Sequence, residues 1–185
     1  MFWQFSHRHR TCSVDGTAEA VILSREQKAT SQRGKESEYN GLFSSASVVV
    51  TGAIVMVEDA YLVTALRKTV DGDNYCSMVK ANALFSVQRY GQVDDEDPAF
   101  STVVSSKRAY AEYVTASLRQ HDPGLLPQTH YTLIVQATVD VRDPQDPSLY
   151  KADRVVMGGR NYEVASVDKM RYPNLLFVQL AEDMR

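Results

Sequence analysis

The sequence predicts a mainly β protein made of small antiparallel barrels, with long loops and one α-helix. Short runs rich in β-branched residues, separated by Gly, Asp and Pro turns, are typical of such folds. Only one segment has apolar residues at helical spacing. Two segments also share one pattern, since "IVMVEDAYLV" (Ile54 to Val63) and "VVMGGRNYEV" (Val155 to Val164) both place an apolar run and a short break before Tyr-x-Val. Repeated hairpins of this kind favour one barrel or two related barrels.

Composition fits an ordinary soluble globular protein, with 44% hydrophobic and 23% charged residues in a chain of 185. A net charge of −3 disfavours general attraction to nucleic acid or to an anionic membrane. The first ten residues lack the apolar run of a signal peptide. Cys12 and Cys76 have no CxxC spacing, which predicts two free and mostly buried thiols, as in a reducing cytoplasm.

The N-terminal half begins with a predicted hairpin at Asp15-Gly16, because Asp-Gly between two extended runs favours a tight turn. The polar stretch Ser24–Gly41 has no apolar period and is expected to be a long loop. Strands are expected at 48–57 and 61–66, followed by a turn at Asp71-Gly72. The segment "YCSMVKANALFSVQRY" then predicts one or two further strands.

The C-terminal half opens with an acidic loop, Gly91–Phe100, and then a predicted helix at Ser105–Gln120. Its apolar positions fall at helical spacing and Pro123-Gly124 supplies the stop; they are Tyr110, Tyr113, Val114 and Leu118. The remaining predicted elements are a strand in 131–141, a loop at 142–153, a hairpin at 154–168 and a last strand beginning at Leu175. We expect two units, 1–98 and 99–185, which can also pack as one domain.

The repeat aligns with one constant offset, which pairs Tyr61 with Tyr162 and Val63 with Val164. The same offset pairs Val55 with Val156, and Tyr75 with Leu176. Alternating Val and Tyr is also what any half-buried hairpin shows, so shared physics and true duplication both remain open at this point. Either explanation predicts small antiparallel barrels of the SH3-like type.

Chemistry is weakly signalled, because no nucleophile, phosphate-binding or zinc-protease motif is present. His7 and His9 lack further nearby ligands, and Asp71-x-Asp73 lacks the other positions of a calcium loop. The sequence therefore assigns no catalytic residue, no cofactor and no metal site, and it disfavours an enzyme. Aromatic residues leave a barrel that binds nucleic acid or protein as an alternative.

The segment "DPSLYKADRVVMGGRNYEVASVDKMRYPNLLFVQLAED" resembles the C-terminal part of head-closure (stopper) or head–tail connector proteins of tailed bacteriophages. The matching parts are Ala152-Asp153-Arg154-Val155, then Gly159 to Val164, then Leu175 to Asp183. The chain departs from that family in its length, in its predicted helix and in Ala152, where the family usually has Gly.

The resemblance implies a structural virion protein of the phage neck, made in the host cytoplasm, that forms a ring joining the portal or head to the tail. Its partners would be further copies of itself in six-fold or twelve-fold rings, the portal or adaptor, and tail proteins. DNA would pass through the lumen without specific binding, and no membrane is involved. The alternatives are a tail-terminator, another tail or baseplate protein, and the binding module above.

Candidate interface residues follow from this reading. Tyr39, Leu42 and Phe43 are expected to be apolar anchors at the end of the Ser24–Gly41 loop, because aromatic residues dominate interface energies. The acidic residues of the 91–100 loop are expected to face the lumen and repel passing DNA; they are Asp94, Asp95, Glu96 and Asp97. Arg160 and Tyr172 in the C-terminal segment complete the set.

Overall fold

The computed structural model describes residues 2–25, 37–91 and 99–185. The chain divides into two compact units, Met1–Ala81 and Asn82–Arg185. Each unit contains a closed antiparallel barrel of six strands, and the two are named the first barrel and the second barrel. The mainly β prediction with small barrels is therefore confirmed.

The first barrel follows a short 3-10 helix, Phe2–Arg8, and its strands pair in the order β1-β2-β3-β6-β5-β4. The strands are β1 Arg10–Val14, β2 Thr17–Arg25, β3 Glu38–Phe43, β4 Ile54–Met56, β5 Ala60–Lys68 and β6 Asn74–Lys80. The predicted hairpin joins β1 to β2, and Asp15 and Gly16 take the positive φ values of 46° and 93° that such a turn needs.

The second barrel pairs its strands in the order β7-β8-β9-β12-β11-β10. They are β7 Ala83–Gly91, β8 Ala99–Tyr113, β9 Tyr131–Gln136, β10 Arg154–Met157, β11 Arg160–Asp168 and β12 Leu175–Glu182. A short helix, α1 Ala116–His121, lies between β8 and β9. The boundary between the units falls after Ala81 rather than at 98, because β7 pairs with β8 and β10.

The two barrels have the same topology, which is consistent with internal duplication. Val14 of β1 pairs with Val55 of β4, and Val87 of β7 pairs with Val155 of β10. Tyr61 and Tyr162 hold equivalent places in their hairpins, opposite Val55 and Val155. Each copy also shifts register one residue after its buried valine, between Val63 and Ala65 and between Val164 and Ser166.

The constant offset of the repeat matches β5 to β11, but the strands on either side of them match only when the offset is changed by one residue. Val55 corresponds to Val155 rather than Val156, because β4 and β5 are joined by residues 57–59 and β10 and β11 by the glycines 158–159 alone. The last strand slips the other way, so Tyr75 corresponds to Phe177 rather than Leu176. The pairings of those two residues from the constant offset were therefore wrong by one position.

Each barrel has its own apolar core. In the first, the fully buried side chains include Val14, Val21, Phe43, Val55, Val63 and Met78. In the second, they include Phe85, Val87, Leu133, Val155, Val164 and Leu180. Equivalent positions thus supply both cores, and alternate residues of each strand face inward.

The predicted helix at Ser105–Gln120 was wrong over most of its length. Residues up to Tyr113 form the end of β8, which pairs with β7 on one side and β9 on the other. Helix α1 begins only at Ala116, where the Thr115 hydroxyl accepts a hydrogen bond from the Leu118 N–H. Pairing on both sides of β8 overrides the local helix propensity.

Two further expectations change. Ser24 and Arg25 belong to β2 and Glu38 to Phe43 form β3, so the Ser24–Gly41 stretch is not all loop; residues 26–36 lie outside the described part. In the predicted strand at 48–57, only Ile54–Met56 is a strand. No helix in the described ranges is long and apolar enough to span a membrane.

Candidate partner-binding surface

Three tyrosines form a ladder at one end of the second barrel. The rings of Tyr113 and Tyr131 lie 5.3 Å apart between centroids, and those of Tyr131 and Tyr162 also lie 5.3 Å apart. Both contacts are edge-to-face, at 70° and 71°, the arrangement that aromatic pairs favour. Tyr162 is buried whereas Tyr113 is 52% exposed, so the ladder runs from the core to the surface.

The ladder lines a cavity of about 540 Å³, which we name the tyrosine groove. Its rim carries four exposed polar residues: His130, Arg160, Asn161 and Glu182. Burial and the neighbouring Tyr131 raise the pKa of Tyr162, so its hydroxyl stays protonated at neutral pH. Arg160 and Glu182 both line the groove, and among the described residues no ion pair joins them; Arg160 also hydrogen-bonds Tyr162, which partly offsets the rise in the pKa of that tyrosine.

The equivalent place in the first barrel has a similar tyrosine pair but carries an ion pair beside it. Tyr39 and Tyr61 pack edge-to-face with centroids 4.8 Å apart, at the register positions of Tyr131 and Tyr162. Lys80 lies where the second barrel has Glu182, and its Nζ is 2.6 Å from a carboxylate oxygen of Asp59. Burial, together with Tyr39 and nearby carboxylates, raises the pKa of Tyr61 to about 12.

The loop before β10, residues 137–153, is held to the second barrel by a buried ion pair. Asp153 is fully buried and accepts two hydrogen bonds from the Arg89 guanidinium, at 2.9 and 2.8 Å. The same carboxylate accepts the Arg142 N–H at 3.0 Å. Arg89 also binds the exposed Asp140, at 2.8 Å. Bidentate contacts of this kind fix geometry as well as charge.

The far part of this loop, which we name the loop tip (Asp143–Tyr150), is ordered by its own side chains. Asp143 accepts the N–H groups of Gln145 and Val167. Asp146 accepts the Ser148 N–H and hydroxyl, and these hydrogen bonds lower its pKa. Tyr150 stacks on Tyr90 yet remains 82% exposed. The tip therefore presents an exposed aromatic side chain on a rigid support.

A second buried carboxylate, Asp183, lies beside the groove. It accepts hydrogen bonds from Arg154 Nε at 2.5 Å and Arg185 Nε at 2.8 Å. Burial on its own would raise the pKa of this carboxyl, but the two arginines outweigh it and lower the pKa to about 2. The Arg154 guanidinium also lies 3.8 Å above the Phe100 ring, which adds a cation–π contact.

We expect acid to weaken the second barrel through Asp183. The folded carboxylate keeps its charge down to about pH 2, while the unfolded one takes a proton near its ordinary pKa of 3.8. The stabilisation is therefore present above about pH 4 and is lost as the pH falls towards 2. Asp183→Asn should lower the free energy of unfolding by about 2 kcal/mol at pH 7 and by almost nothing at pH 2. Urea unfolding of both proteins across this pH range measures the difference; a constant gap would contradict the account.

The predicted interface residues have different fates. Phe43 is fully buried in the first core, so the single chain does not expose it as the surface anchor that the sequence predicted. Tyr39 and Leu42 are half-buried on β3, Arg160 lies on the groove rim, and Tyr172 is half-buried between β11 and β12. Groove and Tyr172 thus lie at opposite ends of β11. Asp94, Asp95, Glu96 and Asp97 lie outside the described residues.

Sequence reasoning missed the tyrosine ladder and the Arg89–Asp153 pair. Tyr113 falls in the segment predicted as a helix, and Tyr131 matches Tyr39 only through an offset different from that of the hairpins. Tyr39 on β3 and Tyr131 on β9 occupy equivalent register positions, but this equivalence becomes visible only when the strand pairing is known.

The described residues contain no group of three or more His, Cys, Asp or Glu side chains that could hold a metal ion. Cys12 and Cys76 are free and buried, as the sequence predicted. Burial raises the pKa of Cys12 to about 11, with Glu19 contributing, and that of Cys76 to about 12. Both thiols are therefore protonated at neutral pH and are weak nucleophiles.

Comparison with known proteins adds no family assignment. No protein-family model matches the chain, and a search of curated proteins finds no significant match. Two closed barrels of equal topology, the tyrosine groove and the clamped loop are therefore the features on which a functional proposal rests.

Proposed function

We propose that this chain is a structural virion protein of a tailed-phage neck, where copies of it form a ring that joins the portal or head to the tail. The proposal is supported most by the fold of the segment that resembles the head-closure proteins. Its hairpin and last strand form three adjacent strands, β10, β11 and β12, of one closed barrel. A small barrel with a long loop before this hairpin is what the resemblance implies.

The clamped loop gives the proposal a physical basis. A ring subunit needs a rigid core from which loops reach its neighbours, and loops bind best when their conformation is fixed beforehand. Asp153 lies in the part of the segment that matches the family, and it is the residue that anchors the loop to Arg89. The acidic segment 94–97 facing the channel, with its repulsion of DNA, belongs to the same proposal.

A second candidate function is a barrel module that binds a protein segment, as a tail or baseplate component would. The tyrosine groove favours it, because aromatic clefts with a few polar groups on the rim are typical binding sites. The ring role requires copies of the chain to contact one another, whereas the module role requires only a bound segment of another protein; both use the second barrel for docking.

Assembly on a template separates the ring role from a generic module. We expect the purified chain to be mainly monomeric at micromolar concentration, and to form closed rings when mixed with the portal assembly encoded by the same phage. Mass photometry and negative-stain electron microscopy measure both states. Binding to isolated tail tubes but not to portals would support the tail component instead, and binding to neither would contradict the neck assignment.

A further inference from the structure

Two features distinguish the second barrel from its twin. Its tyrosine groove carries Arg160 and Glu182 on the rim with no ion pair between them, whereas in the first barrel Lys80, at the position of Glu182, is paired with Asp59. Its connection before β10 runs from 137 to 153, whereas the equivalent connection in the first barrel runs only from 44 to 53. Because both barrels share topology and core positions, these differences are not required by the fold and point to function.

The groove and the loop lie at opposite ends of the same strands. Tyr131 begins β9 and Glu182 ends β12 at the groove. Gln136 ends β9 and Leu175 begins β12 at the other end, where the loop leaves the barrel. A groove at one end and a loop tip with exposed side chains at the other allow identical copies to join head to tail.

We propose that the loop tip of one copy docks into the tyrosine groove of the next copy. Such a contact is heterologous, because it joins two different surfaces, and repeated contacts close into a ring when the rotation between copies is right. The occupant is therefore a second copy of this chain.

The chemistry of the two surfaces is complementary. The tip sequence "DPQDPSLY" contains two aspartates, two prolines and a tyrosine but no basic residue of its own; the flanking Arg142 binds its Ser148 hydroxyl and offsets part of the charge of Asp146. Proline rings and Tyr150 are suited to pack on the exposed edge of the tyrosine ladder, as extended proline-containing segments do in aromatic grooves. Arg160 supplies a positive charge for the aspartates, and Glu182 disfavours a carboxylate on its own side of the rim.

The tip is also prepared for binding. Asp143 and Asp146 each fold the chain into a turn, and the Arg142 guanidinium binds the Ser148 hydroxyl at 2.6 Å. Docking therefore orders little further chain, which keeps the entropic cost of association small. Tyr150 and Tyr113, both more than half exposed, are the aromatic anchors expected to dominate the contact.

This inference deepens the proposed ring but can fail separately from it. A chain that does not join head to tail could still form a neck ring through other surfaces. A chain that joins head to tail but is missing from virions would refute the neck role and leave this contact intact.

The test uses two complementary full-length variants. The groove variant carries Tyr113→Ala and Arg160→Glu, and the loop variant carries Pro147→Ala and Tyr150→Ala; all four side chains are exposed, and unchanged thermal unfolding checks the fold. Sedimentation velocity then measures association of each variant and of their equimolar mixture. Arg67→Glu, which changes an exposed arginine over the Tyr75 ring in the first barrel, is the matched control.

We expect the wild type and the control to associate progressively with concentration, and each variant alone to associate about 30-fold more weakly. The mixture should form dimers and nothing larger, because one intact groove meets one intact tip. Variants that associate like the wild type would overturn the proposal. So would a mixture that stays monomeric up to about 1 mM, because a contact weaker than that contributes too little to hold neighbouring copies together.

Discussion

Replacing Asp153 by alanine is expected to destabilise the second barrel by about 3–5 kcal/mol. The substitution leaves the Arg89 guanidinium, only 15% exposed, without its buried partner, and it removes the acceptor for the Arg142 N–H. Breaking one side of a buried ion pair is costly for this reason. Alanine itself suits the position, because Ala53 holds the equivalent place in the first barrel. The Ala53 carbonyl accepts a hydrogen bond from the Val63 N–H, just as the Asp153 carbonyl accepts one from the Val164 N–H.

Hydrogen exchange and denaturant unfolding of the second barrel measure this effect. Asp140→Ala is the matched control, because Asp140 also binds Arg89 but is 53% exposed, and its loss should cost less than about 1 kcal/mol. The double variant Arg89→Met, Asp153→Ala should recover part of the loss, since no charge is left buried. A cost for Asp153→Ala as small as that of the control would show that the clamp does not hold the loop.

The second large effect is expected from Phe43→Ala, at about 3–5 kcal/mol in the first barrel. Phe43 is fully buried, so its loss leaves a cavity among residues such as Met78 and Val63. Because Trp3, the single tryptophan, is already 72% exposed, unfolding of this unit is best followed by hydrogen exchange and circular dichroism during urea denaturation. The adjacent Leu42, half-buried on the other face of β3, is the control and should cost less.

This experiment also decides between the two roles given to Phe43. A core residue acts through stability, whereas an interface anchor leaves the isolated chain stable and weakens only its assembly. Normal unfolding of Phe43→Ala combined with failed assembly would restore the anchor interpretation and contradict the buried position.

Local patterns in the sequence predicted the hairpins well, because their signals are carried by a few adjacent residues. Asp15-Gly16 permits the positive φ values of the first turn, and the repeated Tyr-x-Val marks the middle strand of both copies. The assignment of β7 could not be made this way. Its alternation shows that it is a strand, but only pairing with β10 shows which barrel it joins.

The predicted helix at 105–120 and the tyrosine groove show the same limit of local sequence patterns, because contacts between distant strands determine both. Residues 105–113 contain alanine, lysine, arginine and glutamate, which favour a helix, and only contacts with β7 and β9 make them a strand. The tyrosine ladder joins β8, β9 and β11, so no window of neighbouring residues contains it. Arg160 enters the candidate interface through resemblance alone, and its position on the groove rim comes from the fold.

The location of the chain in the particle tests the neck proposal most directly. Mass spectrometry of purified virions, combined with cryo-electron microscopy of the neck, measures whether the chain is present and where. The account predicts a ring between portal and tail into which two closed six-stranded barrels fit for each subunit. Complete, infectious virions that lack the chain would contradict it.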